Sequence, residues 1–250
     1  MFTIVGWQES KAGTTSYKAY NALADQHVRV DGDIIYVPEL DNLVGAYVAG
    51  GTIADEGYLS SPSLRRLALL DLRPIQRGLK PSGDESVHLH PLHPIPLESN
   101  EGLELYLKET TTTTEVRTGI VFLADGPLVP VTGEIYSVYA SATITSEVGV
   151  WKNAAISFRQ TLPVGRYQIV GARCEGASIV AFRLVFVGGT WRPGGIGCGD
   201  CGAHDANEQR YGGLGIWGEF GHMTPPTLEV LGSVAEAQSP ELYLDLIKVA

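Results

Sequence analysis

Residues 179–189 read IVAFRLVFVGG. Successive side chains of a strand point to opposite sides. Val180, Phe182, Leu184 and Phe186 therefore share one face of an extended chain, and Ile179, Ala181, Val185 and Val187 the other. A strand that is apolar on both faces belongs between two packed layers. DIIYVPEL, residues 33–40, has the same character.

Working outward, most other segments alternate with period two, the mark of strands with one buried face. In GLELYLKE, Leu103, Leu105 and Leu107 oppose Glu104, Tyr106 and Lys108. In EVRTGIVFLAD, Val116, Thr118, Ile120 and Phe122 oppose Glu115, Arg117 and Gly119. In IYSVYASATITS, Tyr136, Val138, Ala140, Ala142 and Ile144 oppose Ser137, Tyr139, Ser141 and Thr143. In ELYLDLIKV, Leu242, Leu244 and Leu246 oppose Glu241, Tyr243 and Asp245. The run Thr110–Thr114 suits an extended edge or turn, because β-branching favours extended backbone.

Turn clusters fall between these runs: PSGDES, PLESNEG, ADGPLVPVTG, TLPVG, VGGTWRPGGIG, YGGLG and HMTPPT. Short strands with such regular breaks predict an all-β sandwich or barrel. Helical signals are few. SYKAYNALAD suits a short helix. SSPSLRRLALLDL opens like one, with Ser61 as N-cap and Pro62 at the first helical position, although RRLALLDLRPI also reads as a strand. The strongest boundary is ADGPLVPVTG at 124–133. A faint echo crosses it, YVAGGT at 47–52 and FVGGT at 186–190, each ending an apolar strand. The expected organisation is two tandem units, 1–126 and 127–250, with a single large barrel plus a β-rich extension as the alternative.

Composition agrees with strands and turns. Among 250 residues there are 30 glycines and 14 prolines but only 18 Lys plus Arg, and 44% of the residues are hydrophobic. The formal net charge of −10 disfavours direct binding to nucleic acid, whose phosphates it repels. The beginning, MFTIVGWQESKAG, lacks the basic and apolar regions of a signal peptide, and no run approaches the ~18 apolar residues of a membrane span. Three cysteines do not make a disulfide framework.

Two constellations carry possible metal chemistry. In GCGDCGAH, Cys198, Cys201 and His204 offer three of the roughly four ligands of a structural zinc site. Cys174 is a fourth only if the fold brings it near. A redox role for the Cys-x-x-Cys pair needs a following helix, and the glycine-rich flanks provide none. In HLHPLHP, His88 and His90 share one face of a strand. The cupin enzymes use such a His-x-His pair, but here Glu98 lies eight residues beyond His90 with three prolines between, and TLPVGRYQIV matches the second cupin motif only in Pro163 and Gly165. The expectation is therefore no metal and no cofactor, with these five residues as the candidates. No Gly-x-Ser-x-Gly elbow, phosphate loop or dinucleotide fingerprint is present, so no catalytic residue is assigned. Trp191, Arg192 and Trp217 sit beside glycines at strand ends and are candidates for a subunit contact.

The cadence of the second half, TLPVGRYQIVGARCEGASIVAFRLVFVGGTWRPGGIG, then RYGGLGIWGEFGHMTPPTLEVLGS, then ELYLDLIKV, resembles the second barrel of a viral jelly-roll capsid protein. DIIYVPEL, LVGAYVAGG, RRLALLDLRPI and GLELYLKETTTTTEVRTGIVFLAD make a first barrel of similar length. The whole resembles the double-jelly-roll major capsid proteins of tailless icosahedral viruses of bacteria and archaea. That resemblance implies a structural role rather than an enzymatic one. Its partners would be further copies of itself, as a homotrimer and a larger shell, and other virion proteins or an internal membrane. Its place would be the virion, assembled in the host cytoplasm. The competing readings are a cupin-like metal enzyme and a carbohydrate-binding β-sandwich using Trp7, Trp151, Trp191 and Trp217.

Overall fold

The computed structural model describes residues 1–49, 56–68, 73–76, 87–108, 114–198 and 209–249. The chain forms two compact units, Val5–Pro127 and Met1–Ile4 with Leu128–Ala250. The fold is all-β.

The first unit contains β1 (Phe2–Ala12), β2 (Lys18–Ala19), β3 (Val30–Asp31), β4 (Ile34–Tyr36), β5 (Asn42–Ala49), β6 (Glu56–Ser60), α1 (Pro62–Ala68), β7 (Arg73–Gln76), β8 (Val87–Leu89), β9 (Ile95–Pro96), β10 (Gly102–Lys108) and β11 (Thr114–Ala124). Phe2–Ile4 of β1 belong to the second unit. One sheet runs β1-β11-β5-β8 and the other β3-β4-β10-β6-β7. Taking β1, β4, β5, β6, β7, β8, β10 and β11 as strands one to eight, the two sheets read 1-8-3-6 and 2-7-4-5.

The second unit contains β12 (Tyr136–Ser141), β13 (Ile144–Thr145), β14 (Lys152–Ala155), β15 (Ser157–Phe158), β16 (Arg166–Glu175), β17 (Ile179–Val185), β18 (Gly194–Ile196), β19 (Gly218–Gly221), β20 (Thr227–Gly232), β21 (Ala237–Gln238) and β22 (Glu241–Lys248). Its sheets run β15-β12-β22-β16-β19 and β14-β20-β17-β18. With β12, β14, β16, β17, β18, β19, β20 and β22 as strands one to eight, the order is again 1-8-3-6 and 2-7-4-5. This order, in two antiparallel sheets, is the jelly roll, and the chain carries it twice.

The cores follow from the patterning. In β10, Leu103, Leu105 and Leu107 are buried and their neighbours half-buried, as the alternation predicts. Gly119 of β11 faces Leu105 so closely that a Cβ there would collide with the leucine side chain, which shows one sheet packed on the other. In β17, Ile179–Leu184 are buried on both faces, as expected of IVAFRLV. The helix α1 begins as its sequence predicts: the Ser61 hydroxyl accepts the Leu64 amide at 3.1 Å. The chain then returns as β7, so the helical and extended readings of this stretch each hold for part of it.

Several expectations are corrected. SYKAYNALAD forms no helix. It contains β2 and pins itself by burying Tyr20 and Leu23. DIIYVPEL gives only the short β4, with Ile34 and Tyr36 half-exposed. In β11 the alternation stops at Arg117, which is buried because its guanidinium donates to the carbonyls of Lys11 and Glu115. Residues 110–113 of the threonine run and 50–52 of the YVAGGT echo lie outside the described residues.

Candidate functional site

The stretch GCGDCGAH lies in the connection between β18 and β19 of the second unit, and Cys201 and His204 lie outside the described residues. Both flanks of the segment 199–208 are firmly held. On the near side the Cys198 amide donates to the Cys174 carbonyl at 2.8 Å, and the Gly176 amide donates to the Cys198 carbonyl at 3.0 Å. This is a parallel bridge pairing Cys198 with Glu175, one residue out of step with Cys174. Both cysteines are buried. Burial, then the Cys198 thiol and Glu175, push the Cys174 thiol above its ordinary pKa. Among the described residues no group of three or more His, Cys, Asp or Glu is arranged to hold a metal.

On the far side the buried Gln209 accepts the Ile196 amide through Oε1 at 2.5 Å. Arg210 then reaches the buried Asp245 of β22. Its Nε lies 2.7 Å from Oδ2 and its Nη2 2.8 Å from Oδ1. Ser137 donates to Oδ1 at 2.5 Å, and the Tyr211 amide to Oδ2 at 2.9 Å. Burial works to raise the Asp245 pKa. The hydrogen bonds from Arg210, Ser137 and Tyr211, with the Arg210 charge, outweigh it and hold the carboxyl below its ordinary value. The loop can lie this close only because Gly171 sits beneath it: a Cβ there would be 2.7 Å from Asp245 Oδ2 and 2.8 Å from the Tyr211 nitrogen. This clamp was not readable in the sequence, where Asp245 looks like a solvent-facing residue of an alternating strand.

The histidine pair does not form a cluster among the described residues. His88 is in β8, opposite Ala46. His90 lies past the strand end, its amide bonded to the Val44 carbonyl at 2.8 Å and its Nδ1 2.9 Å from the His93 carbonyl. The ring is thus tied to its own turn.

Of the contact candidates, Trp217 is buried, its ring edge-on to Phe2 at 5.4 Å and stacked on Phe182 at 6.1 Å. It is a core residue of the second unit and presents no ring to a neighbour. Arg192 is also buried. Its backbone holds the start of the chain, the carbonyl accepting the Ile4 amide at 3.0 Å and the amide donating to Thr3 Oγ1 at 3.1 Å. Trp191 is half-buried.

The tryptophans form no sugar platform. Trp7 is buried with Nε1 bonded to the Asp33 carbonyl at 2.8 Å, and the Arg183 guanidinium covers Trp151 at 4.2 Å. Aromatic rows do occur on outer sheet faces. In the first unit Lys108 lies over Tyr17, Tyr17 meets Tyr58 at 4.8 Å, and Tyr58 stacks on Tyr106 at 5.1 Å. In the second, Tyr139 and Tyr243 pair at 5.6 Å, with Arg159 over the first ring and Arg173 over the second. These rings spend their faces on one another and on cations. The sequence hid both rows, because Tyr58 meets Tyr106 and Tyr139 meets Tyr243 only through strand register.

No protein-family model, curated protein or solved structure matches the chain. The class that its own geometry defines is a double-jelly-roll protein whose second barrel holds the chain at Gln209–Tyr211.

Proposed function

We propose that the chain is a structural virion protein, the major capsid protein of a tailless icosahedral virus. The carrying observation is the repetition of one eight-stranded order, 1-8-3-6 with 2-7-4-5, in both halves of a single chain. Three such chains supply six similar barrels, which suits a pseudo-hexagonal capsomer able to tile a shell. Two ion pairs of the second unit serve construction: Arg210 with the buried Asp245 holds the chain past residue 209, and Arg183 with Glu229, Nε to Oε2 at 2.5 Å, braces a sheet. Partners in this reading are further copies of the chain and other virion proteins, and the acidic balance keeps nucleic acid at a distance.

Negative-stain electron microscopy of the purified full chain tests the proposal. Ring-like particles of six-lobed outline, or closed shells, are expected. Uniform single-chain particles at every concentration and salt condition would overturn it.

A further inference from the structure

Tyr17, Tyr58 and Tyr106 meet on the outer face of the sheet β3-β4-β10-β6-β7 in the first unit. Their anchoring differs. Tyr58 of β6 and Tyr106 of β10 stand directly opposite one another in the register, and their rings stack at 5.1 Å and 21°. Two paired strands therefore hold these rings face to face. Tyr17 lies outside any strand, in the connection just before β2, and is 39% exposed. Its ring meets that of Tyr58 at 4.8 Å, tilted by 56°. Lys108 Nζ lies over the Tyr17 ring at 5.3 Å, and the Tyr106 hydroxyl donates to Glu104 Oε1 at 3.1 Å.

A phenol that gives up one electron and one proton becomes a neutral radical. Its unpaired electron spreads to the two ring carbons beside the oxygen. Two such radicals in contact join through those ortho carbons, with the rings meeting edge to edge. Tyr58 and Tyr106 are stacked between paired strands and cannot turn their edges to each other. Tyr17 is already tilted out of parallel, and the connection that carries it lets its edge swing to that of Tyr58. Reactants held in contact outcompete collisions between separate chains. Tyr139 and Tyr243 of the second unit, 5.6 Å apart, are opposite residues of paired strands, so neither ring has this freedom.

We propose that Tyr17 and Tyr58 form an oxidative cross-linking site, at which a haem peroxidase with hydrogen peroxide joins the two rings as dityrosine. Both phenol O–H bonds break, and the two electrons and two protons released reduce one hydrogen peroxide to two waters. A carbon–carbon bond forms between the ortho carbons. The hydrogen on each of these carbons then moves to its own phenol oxygen and restores the aromatic ring, so the chain loses two hydrogen atoms in all. The new bond closes the chain across residues 17–58 and fastens the connection before β2 to β6. Like a disulfide, it stabilises mainly by restricting the unfolded chain. The inference does not rest on the shell reading, since one chain holds both rings.

The test is treatment of the purified full chain with a haem peroxidase and hydrogen peroxide. Products are read by dityrosine fluorescence on a denaturing gel, by intact mass and by peptide mapping. Wild type is expected to fluoresce in the single-chain band, to lose the mass of two hydrogen atoms and to yield a linked peptide pair holding Tyr17 and Tyr58. Tyr17→Phe and Tyr58→Phe keep the rings and remove the phenols, and each is expected to lower the single-chain signal at least about tenfold. Tyr106→Phe and Tyr139→Phe are expected to retain it. The cross-linked chain is expected to unfold at a higher urea concentration than the untreated chain. No dityrosine, cross-links only between chains, or a single-chain signal that survives in both Tyr17→Phe and Tyr58→Phe would overturn the proposal. Such a failure leaves the assembly of the untreated chain, the readout of the shell reading, untouched.

Discussion

Arg210 grips both carboxylate oxygens of Asp245, Nε to Oδ2 at 2.7 Å and Nη2 to Oδ1 at 2.8 Å, with the acid wholly buried and the arginine nearly so. Asp245 lies between Ser137 and Gly171 in the sheet register, so the pair fastens the chain at Arg210 onto three neighbouring strands. Removing one member leaves the other charge buried alone. Arg210→Ala and Asp245→Asn should each cost about 3–5 kcal/mol, read from urea unfolding. A loss below about 1 kcal/mol would show that the loop is not anchored here.

The same pair predicts an acid limb in stability. The folded Asp245 titrates below the ordinary value of about 3.9. Its stabilisation is therefore complete above that pH and is lost as pH falls through the lower folded value. Unfolding free energy should drop below about pH 4, and Asp245→Asn should flatten that limb. An unchanged limb in the variant would assign the acid sensitivity to other carboxylates.

Gly171 tests the closeness of the loop to the sheet. Its Cβ position is 2.7 Å from Asp245 Oδ2 and 2.9 Å from Arg210 Cα. Gly171→Ala should destabilise by about 1–3 kcal/mol, although alanine suits a strand at least as well as glycine does. Limited proteolysis should find new cuts on the Arg210 side of the loop. A neutral or stabilising effect would mean that the loop moves aside freely.

Phe2 and Trp217 test the seating of the first residues in the second unit. Phe2 is fully buried against the indole at 5.4 Å. Phe2→Ala should cost about 3–5 kcal/mol and shift the Trp217 contribution to the fluorescence to the red. Unchanged emission and stability would remove Phe2 from this core.

The physics of these residues explains how far the sequence could be read. Strands whose apolar side chains alternate, such as Leu103, Leu105 and Leu107, announce their own buried face, because burial there depends on local pattern alone. The N-cap at Ser61 is local in the same way. Tyr20 and Leu23 sit in a segment that reads as helical until distant strands claim them. Arg117, Asp245 and Arg210 are polar residues whose burial depends on partners distant in sequence, and no local pattern reveals that. The cysteine and histidine motifs show the converse limit, and Cys201 and His204 lie outside the described residues. Their spacing suggests ligands, while Cys198 pairs with Glu175 and His90 turns to its own loop.

The most direct test of the structural reading is the mass of the purified full chain in solution, measured by light scattering over a range of concentrations. The chain has a mass of 26.8 kDa, so three copies make about 80 kDa. The account predicts this trimer as the smallest stable species, or larger assemblies built from it. A strictly monomeric chain at every concentration would contradict it.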